Sequence, residues 1–166
     1  MKAIQADIYN ELDELYNQAK VYLEIWMGQI AKREIARKSL TNSDEKTNYN
    51  LALEFNGNAF RIRWFHYQFI KTGRKTVRVT KAIAIPESLR YTRSQFKYAD
   101  DWELKIIEET EEVLYFIRYK VKYLMKMHRL LVSGAKYEHE PLVVSSSKDR
   151  VSKTTQSIKK IKEQLY

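Results

Sequence analysis

The dipeptide Asn56-Gly57 constrains this chain more than any other pair of its residues. Asparagine and glycine there suit a type I′ turn, which needs positive φ at both central residues. On both sides of it apolar residues recur at every second position, the period of a half-buried strand. Centring the turn there predicts that Phe55 faces Asn58, Leu53 faces Phe60, Leu51 faces Ile62 and Tyr49 faces Trp64. That face is apolar. The other face pairs Glu54 with Ala59, Ala52 with Arg61 and Asn50 with Arg63, and is polar and basic.

The second strand is expected over about 59–70, a second turn at Thr72-Gly73 and a third strand over about 75–85. A pairing that sets Arg63 near Lys81 also aligns Phe65 and Tyr67 with Val79 and Val77. Rings then lie on the basic face, which predicts a bulge or a strong twist. Pro86 ends the sheet, and 87–99 reads as a loop with one helical turn.

Long helices flank this region. Ile4, Ile8, Leu12, Leu15, Ala19, Leu23, Trp26 and Ile30 recur at three- and four-residue steps with no proline among them. Lys32, Arg33, Arg37 and Lys38 near the end of this helix complement its dipole, which accounts for them without a ligand; contact with DNA is the second reading. The polar stretch 39–48 is turn-like. A second helix is expected from Asp100 or Asp101, with Asp100 and Glu103 resembling a capping box and Gly134 as its stop. Its stripe is Ile106, Thr110, Val113, Ile117, Val121, Leu124, His128 and Leu131. The glutamates of its first half and the basic residues of its second half, Arg118 among them, follow the dipole.

The predicted architecture is therefore α+β: a three-stranded antiparallel meander flanked by two long helices in a single domain over 1–134, then a linker over 135–147 and an amphipathic C-terminal helix over 148–166. That last helix suits docking on the body, pairing with another copy, or a mobile arm that meets a partner. The helices bury one stripe each and leave many aromatics over, so a homodimer is expected.

The charge is concentrated. Phe60 to Lys97 holds ten Lys or Arg and one acid, Glu87, and the +9 of that stretch equals the net charge of all 166 residues. Six of the ten are arginines, whose planar fork suits phosphate and guanine. A few lysines would be enough to keep a sheet edge from aggregating. Arg61, Arg63, Arg74, Lys75, Arg78, Lys81, Arg90, Arg93 and Lys97 are therefore the expected DNA-binding residues, with Thr72–Lys75 as the probing tip. Double-stranded DNA is favoured over single strands, because Phe60 and Trp64 are needed in the core. A basic module docking an acidic protein, as an adaptor or inhibitor, is the alternative.

The other function classes find little support. With no cysteine there is no disulfide, thiol nucleophile or Cys-based zinc site. No Gly-rich phosphate loop and no close histidine pair occurs among His66, His128 and His139. The run Glu108-Glu109-Thr110-Glu111-Glu112 points its carboxylates in different directions along a helix, so a two-metal nuclease is a minor reading. His128, on an apolar stripe, reads as a satisfied core histidine. We expect no enzyme, cofactor or metal. The acidic, amphipathic N-terminus is unlike a secretory signal and no apolar run approaches a membrane span, so no membrane association and a cytoplasmic location are expected.

The order of helix, Arg61-Ile62-Arg63-Trp64 strand, basic turn and a Glu-rich helix opening at Trp102-Glu103 and reaching Arg118 resembles the MobI family, over roughly residues 50–131. These are small auxiliary proteins of conjugative plasmids and integrative elements. The resemblance implies recognition of an origin of transfer in support of a separate relaxase, with no catalytic residues of its own.

Overall fold

The computed structural model describes residues 1–41, 46–139 and 141–166. Its elements are α1 (Lys2–Thr41), β1 (Tyr49–Asn56), β2 (Ala59–Thr72), β3 (Lys75–Ala82), a 3-10 turn at Arg93–Gln95, α2 (Asp101–Ala135), α3 (Ser147–Arg150) and α4 (Ile158–Leu165). The strands form one antiparallel sheet in the order β1-β2-β3, so the class is α+β as the alternation predicts. No helix of the described residues is long and apolar enough to cross a membrane.

Ile8, Leu12, Leu15, Ala19, Leu23, Trp26 and Ile30 form the buried stripe of α1, while Ile4 is exposed. The helix runs further than the polar stretch 39–48 suggests, through Ser39 and Leu40 to Thr41; residues 42–45 of that stretch lie outside the described residues. Against α1 pack Leu51, Phe60, Ile62 and Trp64 of the sheet, with Trp26 and Trp64 edge to face at 5.4 Å. The stretch 87–99 feeds this core too. Tyr91 and Phe96 are buried, and Phe96 meets the edges of Tyr49 and Trp64.

Both hairpin registers differ from the expected ones. In the first, Asn56 pairs with Ala59, Leu53 with Ile62 and Leu51 with Trp64, a slip of two residues. The central turn residues are Gly57 and Asn58, and only Gly57 has positive φ, at 59°. That is the type II′ pattern, with glycine in the first central position, in place of the expected type I′. Tertiary contacts hold it: Ser147 donates to Gly57 O, Arg150 donates to Asn58 O, and Asn58 reaches the His128 ring. An even slip keeps every side chain on its face, so the apolar and basic faces survive.

In the second hairpin Thr72 pairs with Lys75, Phe69 with Arg78 and His66 with Lys81, a slip of three. An odd slip exchanges the faces of β3. Lys81 therefore stands beside His66 on the core side of the sheet, not beside Arg63, and Val77 and Val79 oppose Ile70 and Gln68. The pairing is unbroken from Phe65–Ala82 to Thr72–Lys75, without the expected bulge.

On α2 the apolar stripe is rotated toward Ile107, Leu114, Ile117 and Val121, and polar groups are buried with it. Asp100 is the N-cap but makes no side-chain cap bond. Glu103 turns away from the expected capping box to the start of β1, accepting from Thr47 Oγ1, from Asn48 N at 2.9 Å and from Tyr49 N at 3.0 Å. Burial raises its pKa, and these hydrogen bonds oppose that rise. Glu111 and Arg118, 2% and 5% exposed, form a two-pronged ion pair at 2.7 and 2.8 Å. Glu111 also accepts from Trp64 Nε1 and Tyr91 N, and Arg118 donates to Ile62 O and Leu89 O. One buried node thus ties α2 to β2 and to the 83–99 segment. His128 is a satisfied core histidine: Asn58 Nδ2 makes Nδ1 an acceptor, and Nε2 meets Tyr9 Oη at 3.0 Å. Burial and then Arg150 lower its pKa.

The C-terminal helix is present but short. Ser147–Arg150 and Ile158–Leu165 are helical, and 151–157 between them is not, in place of one helix over 148–166. The segment docks on the body. Arg150 pairs with Asp13 and donates to Asn58 O, and α4 lies against α1.

Candidate nucleic-acid interface

The two hairpins are staggered along β2. Pairing with β1 stops at His66, while pairing with β3 starts at Phe65. Beyond that overlap β2 and β3 continue as a two-stranded ribbon, and α4 shares a cleft with Tyr67 and Arg78 near its base. Every residue from Gln68 to Arg78 is exposed. From Tyr67 to the turn it measures about 20 Å at the usual strand rise. Gly73, with φ 63°, and Arg74 make the tip turn.

Phe55 to Pro86 contains no acidic residue, so the ribbon carries Lys71, Arg74, Lys75, Arg78 and Lys81 without a carboxylate of its own. Lys71 and Arg78 lie on the face shared with Arg61 and Arg63, Lys75 and Lys81 on the other, and Arg74 projects from the turn. The Arg78 guanidinium sits 4.3 Å over the Tyr67 ring, which holds it extended along the strand. Phe69 is 61% exposed, and Ile70 and Val77 are exposed as well. A protruding ribbon with cations on both faces and at its tip can enter a major groove, which is about 12 Å wide and 8.5 Å deep.

The nine expected residues do not form one patch. Arg74, Lys75 and Arg78 gather at the outer ribbon. Lys81 and Lys97 share a cleft at its base beside His66, whose pKa is lowered by burial and by Lys81. Arg61 and Arg63 sit on the outer face as predicted, but Glu54 engages both. Arg63 holds it through Nε and Nη2 at 2.6–3.2 Å, and Arg61 stands 3.7 Å away. The corrected register explains this, because it sets Glu54 directly opposite Arg61. Arg93 is bound at 2.6 Å to Glu108, whose carboxyl is held below its usual pKa by that hydrogen bond. Arg90 lies apart, near the Tyr115 ring. Of the run 108–112, Glu108 and Glu111 are thus taken up by arginines. Lys71, missed by the sequence reading, belongs with the tip group; its place in the same acid-free segment was the signal.

A meander on two long helices with a projecting cationic ribbon defines a class: an α+β protein built to present a basic hairpin. The MobI protein family model matches residues 15–132, well over half of the chain, and the protein belongs to that family. It is a mobilization-related accessory protein, involved with transfer machinery. The comparisons with curated proteins and with solved structures gave no match.

Proposed function

We propose that the protein is a DNA-binding accessory factor of conjugative transfer, which recognises duplex DNA at an origin of transfer in the cytoplasm and assists a separate relaxase. The observation that carries this reading is the β2–β3 ribbon, exposed from Gln68 to Arg78 and free of acid, with Lys71, Arg74, Lys75 and Arg78 along it and Lys81 at its base. Phosphate neutralisation by these five contributes roughly −4.5 to the slope of log affinity against log salt. The exposed Phe69, Ile70 and Val77 offer apolar contact to thymine methyls. The protein itself performs no chemistry in this account. A mobility-shift titration with an origin duplex and a scrambled duplex tests it; equal affinity for both removes specific recognition, and no binding at low salt removes DNA binding.

Dimerisation belongs to the same reading. Phe116, Tyr119, Tyr123, Met127 and Leu130 form an exposed apolar stripe along α2. Two copies of α2 packed antiparallel would set the Glu109 and Glu112 end of one against the Lys126 and Arg129 end of the other, and would suit a paired DNA site.

A second reading, docking of an acidic protein, rests on a different groove. It has a volume of about 350 Å³, an apolar floor including Phe60, Ile85 and Val121, and Arg61, Lys122 and Arg129 at its rim. Competition for that groove by an acidic peptide that leaves DNA binding intact would support it as a separate partner site.

A further inference from the structure

Residues 141–166 lie outside the stretch that the family model matches, yet they are built into the molecule. Arg150 pairs with Asp13 at 3.0 Å, Thr154 Oγ1 bonds Glu24 at 2.5 Å, and Lys162 pairs with Glu34. These three acids climb α1 at intervals of about 16 Å, so the segment runs alongside that helix in the same direction. It delivers α4 to the base of the ribbon.

There Lys159 of α4 and Arg78 of the ribbon line the same cleft, which has a volume of about 480 Å³, with Lys46 in its wall. Glu34 is the one acid among the lining residues. It is engaged by Lys162 and by Thr47 N, which leaves Lys46, Arg78 and Lys159 without a carboxylate partner among the described residues.

Distance along the ribbon gives the cleft its meaning. Arg78 pairs with Phe69, three residue pairs back from Thr72–Lys75 at the tip. Three strand steps are about 10 Å. A major groove is about 8.5 Å deep, so a ribbon seated on the groove floor holds Arg78 level with the flanking phosphates.

We propose that this cleft is a phosphate-backbone site formed jointly by the ribbon and the C-terminal segment, with Lys46 and Lys159 joining Arg78 on the strand that borders the groove. This inference rests on the DNA-binding reading and adds a site to it. The ligand is the sugar-phosphate chain of the same duplex the ribbon enters. The α1-fastened segment thereby fixes the angle of approach, as a second point of contact beside the tip.

The test uses the full chain and a labelled mixed-sequence duplex, with anisotropy titrations between about 50 and 200 mM salt. Lys46→Ala with Lys159→Ala should make the slope shallower by about 1.8, the loss of two phosphate contacts. The charge-keeping variant Lys46→Arg with Lys159→Arg should retain the wild-type slope. Thermal melts of all variants should coincide with wild type, since these two side chains are exposed and neither makes an ion pair among the described residues. Arg74→Ala with Lys75→Ala is run alongside. If that pair flattens the slope while the Lys46 and Lys159 pair leaves it unchanged, the cleft is not a DNA site and the ribbon reading stands. If the wild-type protein binds no duplex, both fall.

Discussion

Replacing Arg118 with methionine removes half of the buried node under β2, and its cost can be worked from the contacts. The substitution keeps most of the aliphatic volume but deletes every donor of the guanidinium. Glu111, 2% exposed, is left charged with only Trp64 Nε1 and Tyr91 N, and the Ile62 and Leu89 carbonyls lose the donor that reached them. Breaking a buried pair in this way costs about 3–5 kcal/mol, because the remaining charge stays desolvated. At about 2–4 °C per kcal/mol for a chain of this size, the melting midpoint should fall by roughly 6–20 °C. Adding Glu111→Gln should return part of that loss, since it removes the stranded charge. Arg93→Ala, which breaks the solvent-exposed pair with Glu108, is the control and should leave the midpoint unchanged. Thermal denaturation followed by circular dichroism reads all three. A midpoint for Arg118→Met within 2–4 °C of wild type, worth about 1 kcal/mol, would refute the claim that this pair organises the platform.

Other consequences follow from the same contacts. Arg61→Glu with Arg63→Glu should lower stability by about 1–3 kcal/mol in urea titration, because Glu54 loses its bidentate partner and gains two like charges; unchanged stability would mean the Glu54 bonds carry no weight. His66 and His128 have folded-state pKa values below 6.5, so the unfolded chain takes up protons first. Their contribution is present above the unfolded value near 6.5 and is lost as pH falls from there toward the folded values, so stability should decline as pH drops below about 7, with a smaller decline in His128→Gln. If α2 pairs with itself, Phe116→Glu with Leu130→Glu should convert a dimer to a monomer in sedimentation analysis; a monomeric wild type would count against pairing. Supercoiled plasmid should remain intact with the protein and Mg²⁺ or Mn²⁺, and nicking would overturn the non-enzymatic reading.

Much of the fold was legible because two hydrophobic periods, 3.6 and 2, each commit a face. The α1 stripe and the apolar face of β1 and β2 follow from them directly. The turn was harder. Asn56-Gly57 marks a hairpin, but Gly57-Asn58 satisfies a two-residue loop equally well, and contacts from Ser147 and His128, far along the chain, select it. That two-residue slip hid the Glu54–Arg61 juxtaposition and with it the partial neutralisation of Arg61 and Arg63. On α2 the charge order was credited to the helix dipole, and Glu103 to a capping box. Glu103, Glu111 and Arg118 are each within the charge order that suits a helix dipole, and no local pattern says that their partners are backbone groups of another element. The cationic segment was visible as a run of residues. Its division into a free ribbon and several internally paired arginines needed the stagger of the strands, which depends on both registers at once.

The ribbon is the proposed DNA-binding element, and one titration tests it. Wild-type protein and a variant with Lys71, Arg74, Lys75 and Arg78 all changed to alanine are compared for duplex binding across about 50–200 mM salt. Of the four only Arg78 has a contact to lose, with the Tyr67 ring, so the two proteins should melt within about 2–4 °C of each other. Removing four phosphate contacts should flatten the slope by about 3.6, so the affinity lost over that salt range shrinks by roughly 150-fold relative to wild type. Equal affinity and equal slope for the two proteins would contradict the account.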